Sequence, residues 1–311
     1  MKIPVVLISD EDTMFSVATT MISLLENSSK KNKILFNLLH TGDVSRQSLD
    51  KIKSIETKYP NASVNFINMG DKYKNEKKTS ERIHYACLYK MCIAEVLPQF
   101  DKVVYLDTDV IVRHDITEFY NIDLEDNYIG GVFSFYHYMH NRYLINWLRI
   151  PNLDTYINAG VLSMNLKKIR EDNMEKKLQY YIGTFPESLD QHIMNMVYYR
   201  KIKLLPPKWN LTMGMVNTWE DVDFFYSPKE SIEVIHNPAI VHFAGKLKPW
   251  KFFNVFLGYE WIKYHKMSPF KDMEFNLTDF RRNPWEVSVA QSEPPGEPHF
   301  PENPMSEYVK L

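Results

Sequence analysis

Residues 102–115 read KVVYLDTDVIVRHD, an apolar run from Val103 to Leu106 that closes on Asp107, Thr108 and Asp109. Carboxylates at positions i and i+2 project to the same side of an extended backbone. Both can therefore reach one hard cation, Mg²⁺ or Mn²⁺, with water and phosphate oxygens completing the shell. A solvated turn at a strand end accounts for the pair equally well, because Asp is common there.

A third chemistry fits the string alone. In a phosphatase of the haloacid dehalogenase type, an apolar strand delivers one Asp as nucleophile and a second as acid. Val110 stands where that motif carries Gly, and no G-D-x-x-x-D follows; the similar string, Gly70 to Asn75, precedes the pair and so has the wrong chain order. Companions elsewhere favour the cation. In VHFAGKLKPW, residues 241–250, His242 offers an imidazole ligand, Gly245 admits close approach of an anion, and Lys248 can neutralise phosphate. A structural His in a turn with Gly and Pro is the plainer reading of His242 by itself. In YINAGVLSMNLKKIR, residues 156–170, Asn158 can hydrogen-bond hydroxyls and Gly160 permits close packing. In SLDQHIMN, residues 188–195, Asp190 and Gln191 open a helix-like stretch, where Asp serves equally as an N-cap. Two Asp and one His together make the ligand set of a nucleotide-diphosphate metal site.

The elements that must position these groups alternate along the first half. Strand-like Pro4 to Ser9 precedes helix-like Phe15 to Asn27; Lys33 to His40 precedes Gln47 to Lys58; Val64 to Met69 precedes Ser80 to Leu97; Lys102 to Leu106 follows. Such alternation predicts βαβ units and a mostly parallel sheet flanked by helices, with ligands beyond the carboxyl ends of the strands. Asp10 after the first strand and Asp107 after the fourth lie at such ends. The second half is less regular: an apolar segment at Ala159 to Met164, helix-like Leu166 to Tyr181 and Gln191 to Tyr199, and a short strand from Ala239 to His242. The aromatic segment at residues 133–147 suits a lid or acceptor-side wall, because rings pack on sugar faces, and suits core packing equally. His137 and His140 lack the further ligands of a zinc site. A catalytic domain is expected over residues 1–270. Residues 271–311 form a C-terminal extension, acidic at its end and interrupted by Pro294, Pro295, Pro298, Pro301 and Pro304, that reads as an extended arm.

The 311 residues carry 37 basic and 39 acidic side chains, a formal charge of -2, so no field recruits nucleic acid. Peripheral membrane contact has only Arg281, Arg282 and Trp285 as candidates, and the Lys72, Lys74, Lys77, Lys78 run reads as a solvated loop. Cys87 and Cys92, five residues apart on a helix, face roughly 140° apart. No structural disulfide is expected, which suits a reducing compartment. The opening MKIPVVLISDEDTM resembles neither a signal peptide nor an anchor, so Asn61, Asn210 and Asn276 head chance sequons and a cytoplasmic enzyme is expected.

Taken in order, YLDTDV, NAGVLSMNLKK, LDQHIMN and HFAGKLKPW resemble glycosyltransferase family 8, above all its bacterial lipopolysaccharide galactosyltransferase and glucosyltransferase branch, with glycogenin more distant. The resemblance spans roughly residues 4–260. It implies a GT-A fold (a Rossmann-like mixed sheet), a UDP-hexose donor, Mn²⁺ with Mg²⁺ as the other ion, a saccharide, lipopolysaccharide or other glycoconjugate acceptor, and retention of configuration. It assigns Asp107, Asp109 and His242 to the metal, Gly245 and Lys248 to the diphosphate, Asp10 to the nucleoside, and Asn158, Asp190 and Gln191 to the donor sugar, with Asp190 and Gln191 nearest the chemistry. Four positions depart from the family pattern: Thr13 replaces a base-stacking aromatic, Cys87 an Arg, Ser134 an Asp, and His192 a second acid.

Overall fold

The structure, a computed structural model, describes residues 1–76, 84–184, 189–217 and 225–279. Its first strand, β1 (Lys2–Ser9), is buried from Ile3 onward. Such a run has no solvent face, and the reason is cover on both sides: Val5 and Leu7 enter one hydrophobic cluster, Val6 and Ile8 the other. Each fully buried Val or Leu contributes about 1.5–3 kcal/mol to holding these layers together. β1 pairs in parallel with β2 (Lys33–Thr41) and with β4 (Lys102–Leu106), and β2 pairs in parallel with β3 (Ala62–Gly70). Beyond β4 the direction reverses. β7 (Ile157–Asn165) runs antiparallel to β4 and to β6 (Ile129–Phe133), and β8 (Ile202–Leu204) runs parallel to β6. The full order is β3-β2-β1-β4-β7-β6-β8, a mixed and mostly parallel sheet.

A second sheet, in the order β5-β10-β9, is built from β5 (Val110–Val112), β9 (Leu211–Thr212) and β10 (Ile240–His242). Its antiparallel register places His242 opposite Val110, the residue after Asp109. Helix α1 (Met14–Asn27) crosses beneath the turn between β4 and β5. Its residues 14–25 are all buried, with Phe15 edge-on to Trp261 of α3 (Gly258–His265) at 6.1 Å. Three hydroxyls within this apolar helix serve the turn: Ser16 and Thr20 donate to the Thr108 carbonyl at 2.6 and 2.7 Å, and Ser23 accepts from the Val112 N–H at 3.0 Å. Spaced at i, i+4 and i+7, they form one stripe down the helix.

The helix expected over Ser80–Leu97 is, from residue 84 onward, a 3₁₀ segment at Tyr85–Cys92 followed by one α turn at Ile93–Val96. Three residues per turn align Cys87 with Lys90. The expected Leu166–Tyr181 helix is two, Leu166–Glu171 and Met174–Tyr180, separated by Asn173 in the left-handed region (φ 52°), which Asn tolerates. The helices Pro228–His236 and α3 and the strands β6 and β8 were not anticipated. The aromatic segment is largely packing: Phe133, Phe135 and Tyr138 surround Phe225 at 4.9 to 5.6 Å. Just beyond residue 270, Phe275 lies 5.4 Å from Phe15 and Thr278 bridges Phe252. Lys77, Lys78, the prolines of the extension, Arg281, Arg282 and Trp285 lie outside the described residues. Among the described residues no helix is long and apolar enough to cross a membrane.

Candidate active site

The carboxyl ends of β1 and β4 adjoin where the strand order turns back, the place where such sheets leave a crevice. Asp107 and Asp109 emerge there, and β10 brings His242 to them. His242 Nε2 lies 3.1 Å from Asp109 Oδ1 and 3.6 Å from Asp107 Oδ2, with the imidazole 2% exposed. One ligand atom from each of the three fits within 4.8 Å of the others.

Hydrogen bonds fix what that imidazole presents. The Gly160 N–H donates to Asn158 Oδ1 at 3.0 Å, so this oxygen is an acceptor and must face a donor from Asn210. Asn210 Nδ2 meets it at 2.9 Å, which turns Asn210 Oδ1 toward His242 Nδ1 at 3.1 Å. His242 therefore carries its proton on Nδ1, and in the neutral ring Nε2 is bare. Three acceptors then converge on one point, an arrangement that calls for a cation. Gly160 leaves the room. A Cβ there would stand 2.2 Å from His242 Cε1 and 2.6 Å from Asp107 Oδ2. Two carboxylates and an imidazole suit Mn²⁺.

Lys248 reaches the same cluster, donating to Asp109 Oδ2 and, at 2.7 Å, to the Phe243 carbonyl. Burial pushes the Asp109 carboxyl up, but the Lys248 ammonium beside it outweighs that and holds the group well below the usual carboxylate range. Gly245 has φ +81° with open space around its Cα, so backbone N–H groups of this loop can approach an anion where a larger residue would be strained.

On the other flank lies a cation that the sequence reading missed. Lys90, 4% exposed, spends its three protons on Asp190 Oδ2 at 2.5 Å, the Ala159 carbonyl at 3.0 Å and Asp107 Oδ1 at 3.2 Å. Burial alone would lower its pKa; the two carboxylates win and raise it well above the ordinary lysine range. The positive charge expected to be missing at Cys87 is thus supplied one 3₁₀ turn later. Cys87 itself is inert: burial, then the Asp190 charge, push its thiol up. The signal in the sequence was a lone Lys inside the apolar run YACLYKMCIAEVL. Asn210, which is fully buried, was also missed, having been read only as the head of a sequon.

These groups lie on one chain whose relatives are recognisable. The model of glycosyl transferase family 8 matches residues 4–253. The chain belongs to glycosyl transferase family 8. It is 21% identical over 249 residues to general stress protein A of Bacillus subtilis, covering 78% of this chain and 85% of that one. It is 22% identical over 302 residues to the lipopolysaccharide 1,2-glucosyltransferase of Escherichia coli, covering 91% and 81%. The fold is that of the galactosyltransferase LgtC in complex with donor and acceptor sugar analogues: TM-score 0.75 at 19% identity, over 86% of this chain and 96% of that one. The GT-A fold and the hexosyltransferase class implied by the sequence motifs agree with these matches, and the phosphatase reading of Asp107 falls with them.

Of the residues singled out in the sequence, Asp107, Asp109, His242, Lys248, Asn158, Asp190 and Gln191 form one connected cluster. Gln191 Oε1 accepts from the Ala159 N–H at 3.1 Å and from Asn158 Nδ2 at 3.3 Å. Asp10 sits apart in the turn after β1, where Oδ1 accepts from the Thr13 N–H and hydroxyl at 3.1 and 2.8 Å and Oδ2 lies 3.6 Å from His84 Nδ1. Ser134 and His192, two of the departures, enter a buried network: Ser134 Oγ with His137 Nδ1 at 2.8 Å, and His192 Nδ1 with the Tyr156 hydroxyl at 2.6 Å.

Proposed function

We propose that the chain transfers a hexose from UDP-galactose or UDP-glucose to a saccharide, lipopolysaccharide or other glycoconjugate acceptor, with retention of configuration and dependence on Mn²⁺ or, less well, Mg²⁺. The observation that carries this reading is the trio Asp107, Asp109 and His242 packed against a Cβ-free Gly160, with Lys248 beside it. Two of the relatives are named a glucosyltransferase and a galactosyltransferase, which supports a hexose.

When bound, the divalent ion supplies Lewis-acid stabilisation of the diphosphate leaving group. Lys248 and the backbone at Gly245 receive the phosphate oxygens and offset charge as the glycosidic bond breaks. Asp10 meets the nucleoside. His84, whose ring lies 4.2 Å from that of Tyr85, offers beside it the flat surface that Thr13 does not. Asn158 and Asp190 orient the sugar. Asp190 is neutralised by Lys90, which blunts it as a nucleophile and favours front-face attack by the acceptor hydroxyl. Two free thiols suit a reducing, cytoplasmic setting, and the extension beyond residue 270 is assigned no chemical step.

A donor panel read as UDP release, with and without Mn²⁺, tests this. UDP-galactose or UDP-glucose should be hydrolysed slowly without acceptor and only with metal, and Asp107→Ala or Asp109→Ala should abolish it in protein that still folds. Metal-dependent UDP binding with no donor ever cleaved identifies a silent nucleotide-sugar-binding protein instead.

A further inference from the structure

Next to the relay that sets His242, a second one starts from the neighbouring backbone N–H. The Ala159 N–H points at Gln191, and a backbone donor cannot rotate away, so the Gln191 atom facing it must be the carbonyl oxygen. That oxygen also accepts from Asn158 Nδ2, so both its lone pairs are engaged. The Gln191 amide nitrogen is thereby turned to the Tyr156 hydroxyl at 3.1 Å. The Tyr156 hydroxyl, which accepts from Gln191, has its own proton to offer His192 Nδ1, 2.6 Å away. His192 can receive it because the ring is neutral: burial, then the neighbouring His137, depress its pKa to about 3. His137, whose ring lies 5.2 Å from that of Tyr156, is depressed to about 4 by burial. Asn195 fastens the same helix, α2 (Leu189–Val197), to β7 through the Ile157 N–H and carbonyl at 2.8 and 2.9 Å. Among the described residues, the second N–H of Gln191 and that of Asn158 have no protein acceptor.

We propose that Tyr156 and His192 are positioning residues that lock Gln191 with its carbonyl turned into the protein, so that Gln191 meets the donor sugar as an N–H donor and not as a nucleophile. The sugar subsite then reads hydroxyl oxygens as acceptors through the N–H groups of Asn158 and Gln191, on the neutral side of the cluster. The proposal rests on the donor-binding reading above and deepens it.

Two measurements test it. Nitrogen-15 spectra of the ring of His192, taken on full-length protein without any ligand, should show Nε2 protonated and Nδ1 bare. Tyr156→Phe, which keeps the ring and removes the hydroxyl, should lower kcat for donor turnover about tenfold while Mn²⁺-dependent UDP affinity moves little; a merely structural hydroxyl would lower the Tm and leave kcat unchanged. Gln191→Glu, lacking the N–H, should lose at least as much. A proton on Nδ1 of His192 in the wild-type protein, or a Gln191→Glu variant that turns over donor at the wild-type rate, overturns the proposal. Wild-type protein that binds no UDP with metal overturns instead the reading beneath it, an outcome the ligand-free spectrum keeps separate.

Discussion

Two sets of polar groups meet at Ala159 and Gly160. Asp107, Asp109, His242 and Lys248 are charged, linked mainly by ion pairs, and leave an acceptor-lined gap. Asn158, Gln191, Tyr156 and His192 are neutral and joined by hydrogen bonds, and among the described residues one N–H each of Asn158 and Gln191 has no protein acceptor. The first set gathers acceptors around one gap; the second leaves two donors over. Each ends in a buried histidine, and in each the tautomer is dictated from one end of the relay by a backbone N–H that has no freedom to turn. β7 therefore does more than fill the sheet: two adjacent peptide groups in it set the imidazole of His242 on one side and the amide of Gln191 on the other.

The sharpest way to break the charged set alone is Gly160→Ala. The added methyl would overlap His242 and Asp107, and His242 cannot retreat while Asn210 holds Nδ1. A displacement of about 1 Å at such a centre costs about a hundredfold. Mn²⁺-dependent UDP binding, followed by calorimetry, should fall by that order, while the strain lowers stability by about 1–3 kcal/mol. Metal affinity that survives the substitution would remove His242 and Asp107 from the centre.

Lys90 is where the two sets are bound electrostatically, since its ammonium holds Asp107 of the first and Asp190 beside the second. Lys90→Met leaves both carboxylates partly buried without a counter-charge and should destabilise the metal-free protein by about 3–5 kcal/mol at neutral pH. The sign with pH follows from its raised pKa. A lysine whose folded pKa exceeds the unfolded value of about 10.4 contributes stability in full below that value and loses it as pH climbs through the folded one. Melting curves should therefore show a wild-type advantage that is constant around neutrality and shrinks above about pH 10. An advantage that instead vanishes on acidification to about pH 6 would contradict a lysine origin.

The parallel half of the fold was legible because β1, β2 and β4 are nearly continuous buried runs and β3 a half-buried edge strand, all separated by helix-like segments, and the acidic pair was legible because it ends one of them. Asp107, Asp109 and His242 could be named together, although only the register of β10 against β5 brings them within reach. Lys90 was hidden because a single cation in an apolar segment has no periodic signature, and the winding that aims it is 3₁₀. Ser16, Thr20 and Ser23 were hidden in another way: small hydroxyls on a helix read as neutral filler until the turn they hold is known. Asn210 lies 52 residues from Asn158 and 32 from His242, so nothing local marks it.

That same Asn210 provides the gentlest test, because its side chain touches both His242 of the charged set and an amide of the neutral one. Asn210→Ala removes the acceptor that keeps the proton on His242 Nδ1, and loss of such a partner lowers metal affinity about tenfold to a hundredfold. It also removes a donor from Asn158 Oδ1, which keeps the Gly160 N–H. Asn210→Asp separates the two effects: the acceptor for His242 stays, whereas the donor to Asn158 is replaced by a repelling oxygen. Metal affinity should then return toward wild type while donor turnover remains depressed by a few fold, the size of one neutral hydrogen bond. If Asn210→Asp restores turnover together with metal affinity, the amide side takes no orientation from Asn210, and Gly160 alone holds Asn158.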